Sequence, residues 1–495
     1  MEKVFPGPLS KTFSYPRQGA LPARNSTKVF GRGFGGDLSS ERSPPNMKTT
    51  EKILYGWLLL AVLALAFAGL FAMLLALART PVVENLLPLG RDYIYVALVG
   101  HVILAFVLWF LAFEGFLWVY STSLYVGRRM INPHLGWLGL WFSCAGVALV
   151  VISAVLALGA AELSNYVPVL MTPVFYIGLA AFALGVLLTL VNAFTAAFRT
   201  RLRGGRLPVV TVGMMVAAVA VLSALLCFAL SWYFQYSTGR AFLDFERLFW
   251  GGGHVLQFAN TVSIVTVWVF LTEAVTGREP VGGKLARSLF AFYLLFILSA
   301  PFIYLVHDTS TQAHKDGFTF LMTWGLGPST AVFAASIIML LVRSTPLPFR
   351  RPGFSCLVLS MAIFTVGGLI SFTIKGVNTI IPAHYHCVIG GVTIAFMGFF
   401  YEIAPVVKRR VFFPALASFQ PYIYFSGVLL FALGLYIAGA YGAARKSLAG
   451  SQDLQDAGRL IGMSVMGLGG LVSIAGGVAF VVNALFTLLG RKGSS

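Results

Sequence analysis

The sequence predicts an all-α polytopic membrane protein: a bundle of twelve transmembrane helices with both termini in the cytoplasm. Three observations carry this prediction. Hydrophobic residues make up 58% of the chain and charged residues 11%, with a mean hydropathy of +0.85, the composition of membrane spans rather than of a soluble core. Twelve apolar runs are each long enough to cross the ~30 Å hydrocarbon layer as a helix. Lys and Arg gather in alternate loops, the asymmetry that sets topology.

Residues 1–50 precede the first run. They are polar, bear Gly, Pro and Ser, and carry eight Lys/Arg against three acids, so they are expected to form a disordered basic tail. They lack the apolar stretch of a signal peptide. Met47 stands directly before the first span and is an expected alternative start. Residues 51–495 then read as one domain, since no loop is long enough to fold separately.

The spans fall at 53–78, 93–122, 135–160, 168–198, 208–236, 248–275, 284–307, 316–343, 353–375, 381–407, 419–444 and 460–490. Loops expected on the inner side hold Arg128 and Arg129, then Arg199, Arg201, Arg203 and Arg206, then Arg278, Lys284 and Arg287. Arg343, Arg350 and Arg351 follow, then Lys408, Arg409 and Arg410, and finally Arg491 and Lys492. The opposite loops are poorer in cations and mostly offset by acids. Arg79 and Arg91 come with Glu84 and Asp92, Glu162 stands alone, and Arg240 and Arg247 come with Asp244 and Glu246. Lys315 has Asp308 and Asp316, Lys375 stands alone, and Arg445, Lys446 and Arg459 have Asp453 and Asp456.

The net charge of +18 is therefore a topology signal outside the tail, and no nucleic acid is expected as a partner. Cys144, Cys227, Cys356 and Cys387 lie in or at apolar runs without CxxC spacing and suggest neither a disulfide framework nor a zinc site. No CxxCH is present to attach a c-type haem.

The histidines carry the chemistry. His101 lies in span 2, His254 in span 6, His307 closes span 7, and His384 and His386 open span 10, while His314 sits in the short loop before span 8. On the predicted topology all six lie within roughly 12 Å of the outer boundary; only His134 falls on the inner side. Intramembrane ionisable groups are rare and functional by default, and histidine is the commonest metal ligand. Each alone reads as a satisfied helix histidine; the set reads as metal or haem ligation. His384 and His386, two positions apart, point to nearly opposite sides of one helix, so that helix can serve two centres but not one.

This layout resembles the haem-copper oxidase and nitric oxide reductase superfamily, catalytic subunit I, over about residues 50–490. Phe249-Trp250-Gly251-Gly252-Gly253-His254 resembles the family's entry to span 6, and His384-Tyr385-His386-Cys387-Val388-Ile389-Gly390 its span-10 motif. The resemblance implies two haems, b-type or related, and one non-haem metal. His101 and His386 would be axial ligands of a low-spin haem and His384 the ligand of a high-spin haem. His254 and His307 would bind the non-haem metal facing it.

The departures are specific. Where the family has a second histidine in span 7, this chain has Asp308; either Asp308 or His314 would complete the metal site. Two His and a carboxylate suit iron, whereas three imidazoles suit copper equally. Position 258, where oxidases carry a cross-linked tyrosine and nitric oxide reductases a glutamate, is Phe258. The other tyrosine position known in oxidases is Pro301, with Tyr304 one turn before His307. The resemblance therefore implies a divergent branch, with reduction of nitric oxide to nitrous oxide expected ahead of O2 reduction.

Proton-path signatures are weak. Thr319, Thr323, Ser329 and Thr330 on span 8 read as helix-packing hydroxyls. Gln257 is expected near the metal, and Glu114 lies inward of His101. Arg409 and Arg410 read as topology charges. A reading from another class is a proton-coupled transporter, for which twelve spans with intramembrane His and Asp also suffice. The resemblance implies electron delivery by a membrane-anchored cytochrome c, a blue-copper subunit or quinol. It also implies an inner-membrane location, with lipid around the spans and the active site towards the outer face.

Overall fold

The computed structural model describes residues 45–80, 90–164, 166–237, 243–344, 346–445 and 456–490. Twelve helices among them are long and apolar enough to cross a membrane. We label them α1 (Pro45–Arg79), α2 (Arg91–Val126), α3 (Pro133–Val155), α4 (Pro173–Leu202), α5 (Val209–Ser237) and α6 (Phe245–Thr276). The rest are α7 (Gly283–Val306), α8 (Gln312–Val342), α9 (Pro352–Ser371), α10 (Ile380–Val407), α11 (Pro414–Ala440) and α12 (Ala457–Leu489). Residues 45–50, expected as the end of the tail, are instead the first turns of α1; the tail before them lies outside the described residues.

Helix ends follow local chemistry. Asp244, Thr311 and Asp456 cap α6, α8 and α12 by accepting the amide N–H three residues on, which satisfies one of the unpaired donors at a helix start. The Thr311 cap draws His314 into the first turn of α8, so His314 is a helix residue and not the loop residue expected. Span 3 ends at Val155 and span 4 begins at Pro173. Between them Ala161–Glu162 (β1) pairs antiparallel with Val169–Leu170 (β2), a small cap that brings Tyr166 over the bundle.

Neighbours in sequence pack as antiparallel pairs: α3 with α4, α5 with α6, α9 with α10, α11 with α12. The α11–α12 pair brings backbones into direct contact through Gly427 and Gly434 on one helix and Gly462, Gly469 and Gly476 on the other. The seven-residue spacing keeps these small residues on one face. Depth in the bundle is uneven. The most apolar windows of α6 and α10 are 83% buried, whereas those of α7 and α8 are 28% buried, so the two helices richest in histidine motifs form the centre.

A wall of aromatic rings joins α2 to α10. Phe113 stacks on Phe396 with centroids 4.3 Å apart, and Phe116, Tyr120 and Phe399 continue the contact. Helix α2 reaches this packing through a π-turn at Leu104–Leu108, directly after His101. Such a turn inserts one residue per helical repeat and re-aims the side chains on either side, and it recurs at functional sites.

Candidate metal and haem centre

Successive helices run in opposite directions, so the starts of even-numbered helices and the ends of odd-numbered ones share one end of the bundle. His101, His254, His307, His314, His384 and His386 all fall at that end; His134, at the start of α3, does not.

Four histidines share one hydrogen-bond arrangement. Nδ1 of His101 donates to the Ala68 carbonyl of α1 (3.0 Å), and Nδ1 of His384 to the Gly367 carbonyl of α9 (2.7 Å). Nδ1 of His386 donates to Pro382 (2.7 Å), and that of His254 to Trp250, one turn back in their own helices. A carbonyl only accepts, so each Nδ1 carries the proton and each Nε2 keeps its lone pair. This is the ring state in which histidine binds a metal or haem iron, with the backbone contact fixing orientation. The rings therefore fit the groups the sequence implies.

The two sides of α10 diverge as its geometry requires. His386 lies close enough to His101 to interact with it electrostatically and packs on Phe431 of α11 at 4.7 Å. His384 is held on the other side by α9. Tyr385 between them contacts Phe106 of α2 edge-on at 5.3 Å.

His254 sits in an aromatic cage built by the three glycines before it. A Cβ on Gly251 would collide with Tyr304 of α7 and Phe318 of α8, and one on Gly252 with Phe228 of α5. A Cβ on Gly253 would lie 2.5 Å from Cε1 of Tyr166. The Gly251-Gly252-Gly253 run thus admits rings from four elements, one of which reaches the histidine itself. Tyr166 stacks flat on His254, centroids 4.8 Å apart and planes 8° apart, and accepts a hydrogen bond from Gln257 Nε2 at 3.1 Å. Trp250, whose carbonyl holds His254, lies 4.7 Å from its ring and beneath Lys315 Nζ at 5.1 Å. That lysine also pairs with Glu246 at 3.0 Å.

Tyr166 escaped the sequence reading because it lies in a loop with no spacing relation to His254. Burial pushes its phenol above the ordinary range, partly offset by Gln257 and the positive charge of Arg445. Arg445 and Arg79, read from sequence as topology charges, also do more. They lie close enough to interact, and Arg79 also acts on His101 and His386. The buried Nε of Arg445 has no hydrogen-bond partner. Two guanidinium groups over one place suit carboxylates, such as those a haem carries.

The third metal position is less settled by geometry. Among the described residues no three His, Cys, Asp or Glu side chains are already gathered to hold a metal. His307 caps the end of α7 in extended conformation. Asp308 is exposed; its Oδ1 accepts the Ser310 amide at 2.7 Å, and its carbonyl accepts the Thr311 amide and hydroxyl. His314 is 1% exposed and interacts with His254, His307, Asp308 and Lys315.

Elsewhere the structure gives the sequence candidates ordinary contacts. Thr319, Thr323 and Thr330 bond back to carbonyls of their own helix, and Ser329 to Leu289 of α7. Phe258 is 1% exposed and packs where Gly325 of α8 leaves room. Glu114 is fully buried, with the Ser263 hydroxyl facing its carboxyl as a hydrogen-bond partner. Arg409 donates to the Gly490 carbonyl and Lys408 pairs with Glu51, at the end of the bundle away from the six histidines.

Comparison with known proteins finds relatives over most of the chain. The chain is 27% identical to an uncharacterised protein of Rickettsia prowazekii, covering 90% of this chain and 98% of that one. It is 29% identical to an uncharacterised protein of Aquifex aeolicus, covering 76% and 89%. It is 25% identical to cytochrome c oxidase subunit 1 of Thermus thermophilus, covering 88% and 84%. A heme-copper terminal oxidase dimer solved by cryo-electron microscopy superposes with a TM-score of 0.74 at 17% identity, over 90% of this chain and 85% of that one. The family model of cytochrome c and quinol oxidase polypeptide I matches residues 52–478; the chain belongs to that family, as a membrane-spanning subunit I of the haem-copper oxidase superfamily and a respiratory oxidoreductase subunit.

Proposed function

We propose that this chain is the catalytic subunit of a membrane reductase that converts nitric oxide to nitrous oxide. The reaction consumes two electrons and two protons: 2 NO + 2 e⁻ + 2 H⁺ → N2O + H2O. His101 and His386 hold a low-spin haem, and His384 a high-spin haem. His254 and His307, completed by Asp308 or His314, hold a non-haem iron or copper. Bound there, these groups would supply one-electron transfer and a place for a diatomic oxidant to bind.

The chain's own residues supply orientation. The carbonyls of Ala68, Pro382, Gly367 and Trp250 hold four imidazoles in one tautomer. His384 turns to Gly367 of α9 and His386 to Phe431 of α11, so one helix would carry ligands for both haems. Arg79 and Arg445, close enough to interact, would receive haem carboxylates at the same end.

The observation that carries the choice of oxidant is Phe258. Its buried, apolar ring stands where an oxygen-reducing centre would have a phenol cross-linked to the histidine. Coupling two NO molecules needs no such donor. O2 reduction is the second reading, and Tyr166 favours it, since its ring stacks directly on His254. Purified protein assayed for N2O from NO under argon, and separately for O2 uptake, distinguishes the two. O2 uptake without N2O formation would overturn the nitric oxide reading, and absence of a Soret band would return the transporter to consideration.

The same reading places both termini in the cytoplasm and the centre towards the outer face of an energy-transducing inner membrane. Electrons then arrive there from a membrane-anchored cytochrome c, a blue-copper subunit or quinol. The cations at Arg128, Arg129, Arg199 and Arg201, all at the end away from the six histidines, support this orientation.

A further inference from the structure

Helices α6 and α8 pack on one another, and both finish at the end of the bundle away from the six histidines. Gly277 closes α6 in the left-handed conformation, φ +69°, which glycine adopts at no steric cost, and so turns the chain to Arg278. Arg343 caps α8. Between these two helix ends and the first turn of α9 lies a cavity of about 290 Å³. Arg278, Arg343, Thr276 and Ser344 line it, together with Leu347 and the fully buried Phe354.

Among the described residues no carboxylate lines this cavity, and neither guanidinium group forms an ion pair or donates a hydrogen bond. Other cations at the same end are satisfied within the protein. Arg351 pairs with Glu402 through bonds of 2.9 and 2.6 Å, Lys408 pairs with Glu51, and Arg287 donates to the Gly283 and Leu207 carbonyls. The carboxylates nearest the end of α6, Glu273 and Glu279, interact with each other and with Tyr125 of α2. Thr276 and Ser344 spend their hydroxyl protons on the Thr272 and Leu340 carbonyls, at 2.7 Å each. The donors left to a ligand are therefore two like-charged guanidinium groups, whose planar forks match a phosphate.

We infer that this cavity binds the phosphate of an anionic phospholipid from the leaflet at that end. Basic pockets between membrane helices recognise such headgroups. A lipid fits better than free phosphate because an apolar track leads away from the cavity along α8. Met339 lies one turn before Arg343 on the same face, Val342 adjoins it, and both are exposed with Ile338, as a surface for an acyl chain would be. Nothing in this site depends on the oxidant or on any bound metal.

The test uses full-length protein, purified and stripped of lipid in detergent, then titrated with dioleoylphosphatidylglycerol or dioleoylphosphatidylcholine. The two lipids share their chains and differ in net charge, and native mass spectrometry counts what is bound. Wild type should hold one phosphatidylglycerol about tenfold more tightly than phosphatidylcholine. The double variant Arg278→Gln with Arg343→Gln should lose that preference. Both side chains are exposed, so its unfolding temperature should match wild type. Arg199→Gln with Arg203→Gln, exposed at the same end, should keep the preference. Equal affinity of wild type for the two lipids, or an unchanged preference in the double variant, would overturn the inference. Displacement of phosphatidylglycerol by an equal concentration of inorganic phosphate would make this a site for free phosphate and overturn the lipid assignment. Should the double variant prove unstable, Arg343→Gln alone replaces it, with an undiminished preference again counting against the lipid site.

Discussion

The ring of Tyr166 lies flat on the ring of His254, centroids 4.8 Å apart, although 88 residues separate them in sequence. The contact exists because the β1–β2 cap carries Tyr166 inward over α6 and because Gly253 has no side chain to hold it off. Tyr166→Phe retains the stack and removes only the hydrogen bond from Gln257, a change of about 1 kcal/mol. Tyr166→Ala removes both and leaves a cavity, with a cost of about 3–5 kcal/mol. Thermal unfolding of the two variants should therefore separate clearly, and equal losses would show that the ring contact contributes nothing.

The same phenol predicts a pH effect. Burial disfavours its charged form, so its pKa in the folded protein lies above the ordinary 10.0. The folded state then holds the proton more tightly than the unfolded state does. This contribution is fully present below about pH 10 and is lost as pH rises through the folded pKa. Wild type should lose stability above about pH 10 more steeply than Tyr166→Phe; parallel curves would mean that Tyr166 is not desolvated as described.

Gly253→Ala should act through Tyr166. The added methyl falls 2.5 Å from the tyrosine ring, too close for carbon atoms, so the loop must move away from His254. We expect a loss of about 1–3 kcal/mol from overpacking, with a change in the spectroscopic signature of the non-haem metal. Combining Gly253→Ala with Tyr166→Ala should restore much of the stability lost to the clash. A purely additive double variant would refute this.

His101→Ala and His386→Ala should each remove the low-spin haem, and His384→Ala the high-spin one. Haem quantification would then give one haem per chain in place of two, with reduced-minus-oxidised spectra identifying which is lost. His384→Ala should also abolish NO and O2 turnover alike. Retention of either activity would contradict its assignment.

Glu114 offers the opposite test, a gain. Its carboxyl is fully buried and meets the Ser263 hydroxyl, and burying so polar a group with so little hydrogen bonding costs stability. Glu114→Met fills similar volume without that cost and should raise the unfolding temperature. A fall in stability would show that the carboxyl has a further partner in the membrane-embedded protein, and a fall in turnover alone would mark it as a proton relay.

Much of this protein was legible along the chain. Apolar runs longer than a membrane is thick admit only helices, because an unpaired backbone group in lipid is too costly; twelve such runs therefore meant twelve helices. Their alternation also placed His101, His254, His307, His384 and His386 at one end, since depth in a span depends only on distance from its start. The opposite faces of His384 and His386 followed from helical pitch. What the linear reading could not supply was lateral placement, which depends on side chains meeting across helices. Tyr166 reaches His254 from a loop, Arg79 and Arg445 meet from opposite ends of the sequence, and the Thr311 cap turns His314 inward while Asp308 stays in its exposed turn. The periodicity of the chain determined depth and direction; only tertiary packing decided which rings and charges surround each histidine, because those contacts are set by missing side chains at Gly251, Gly252 and Gly253 and by where each helix is capped.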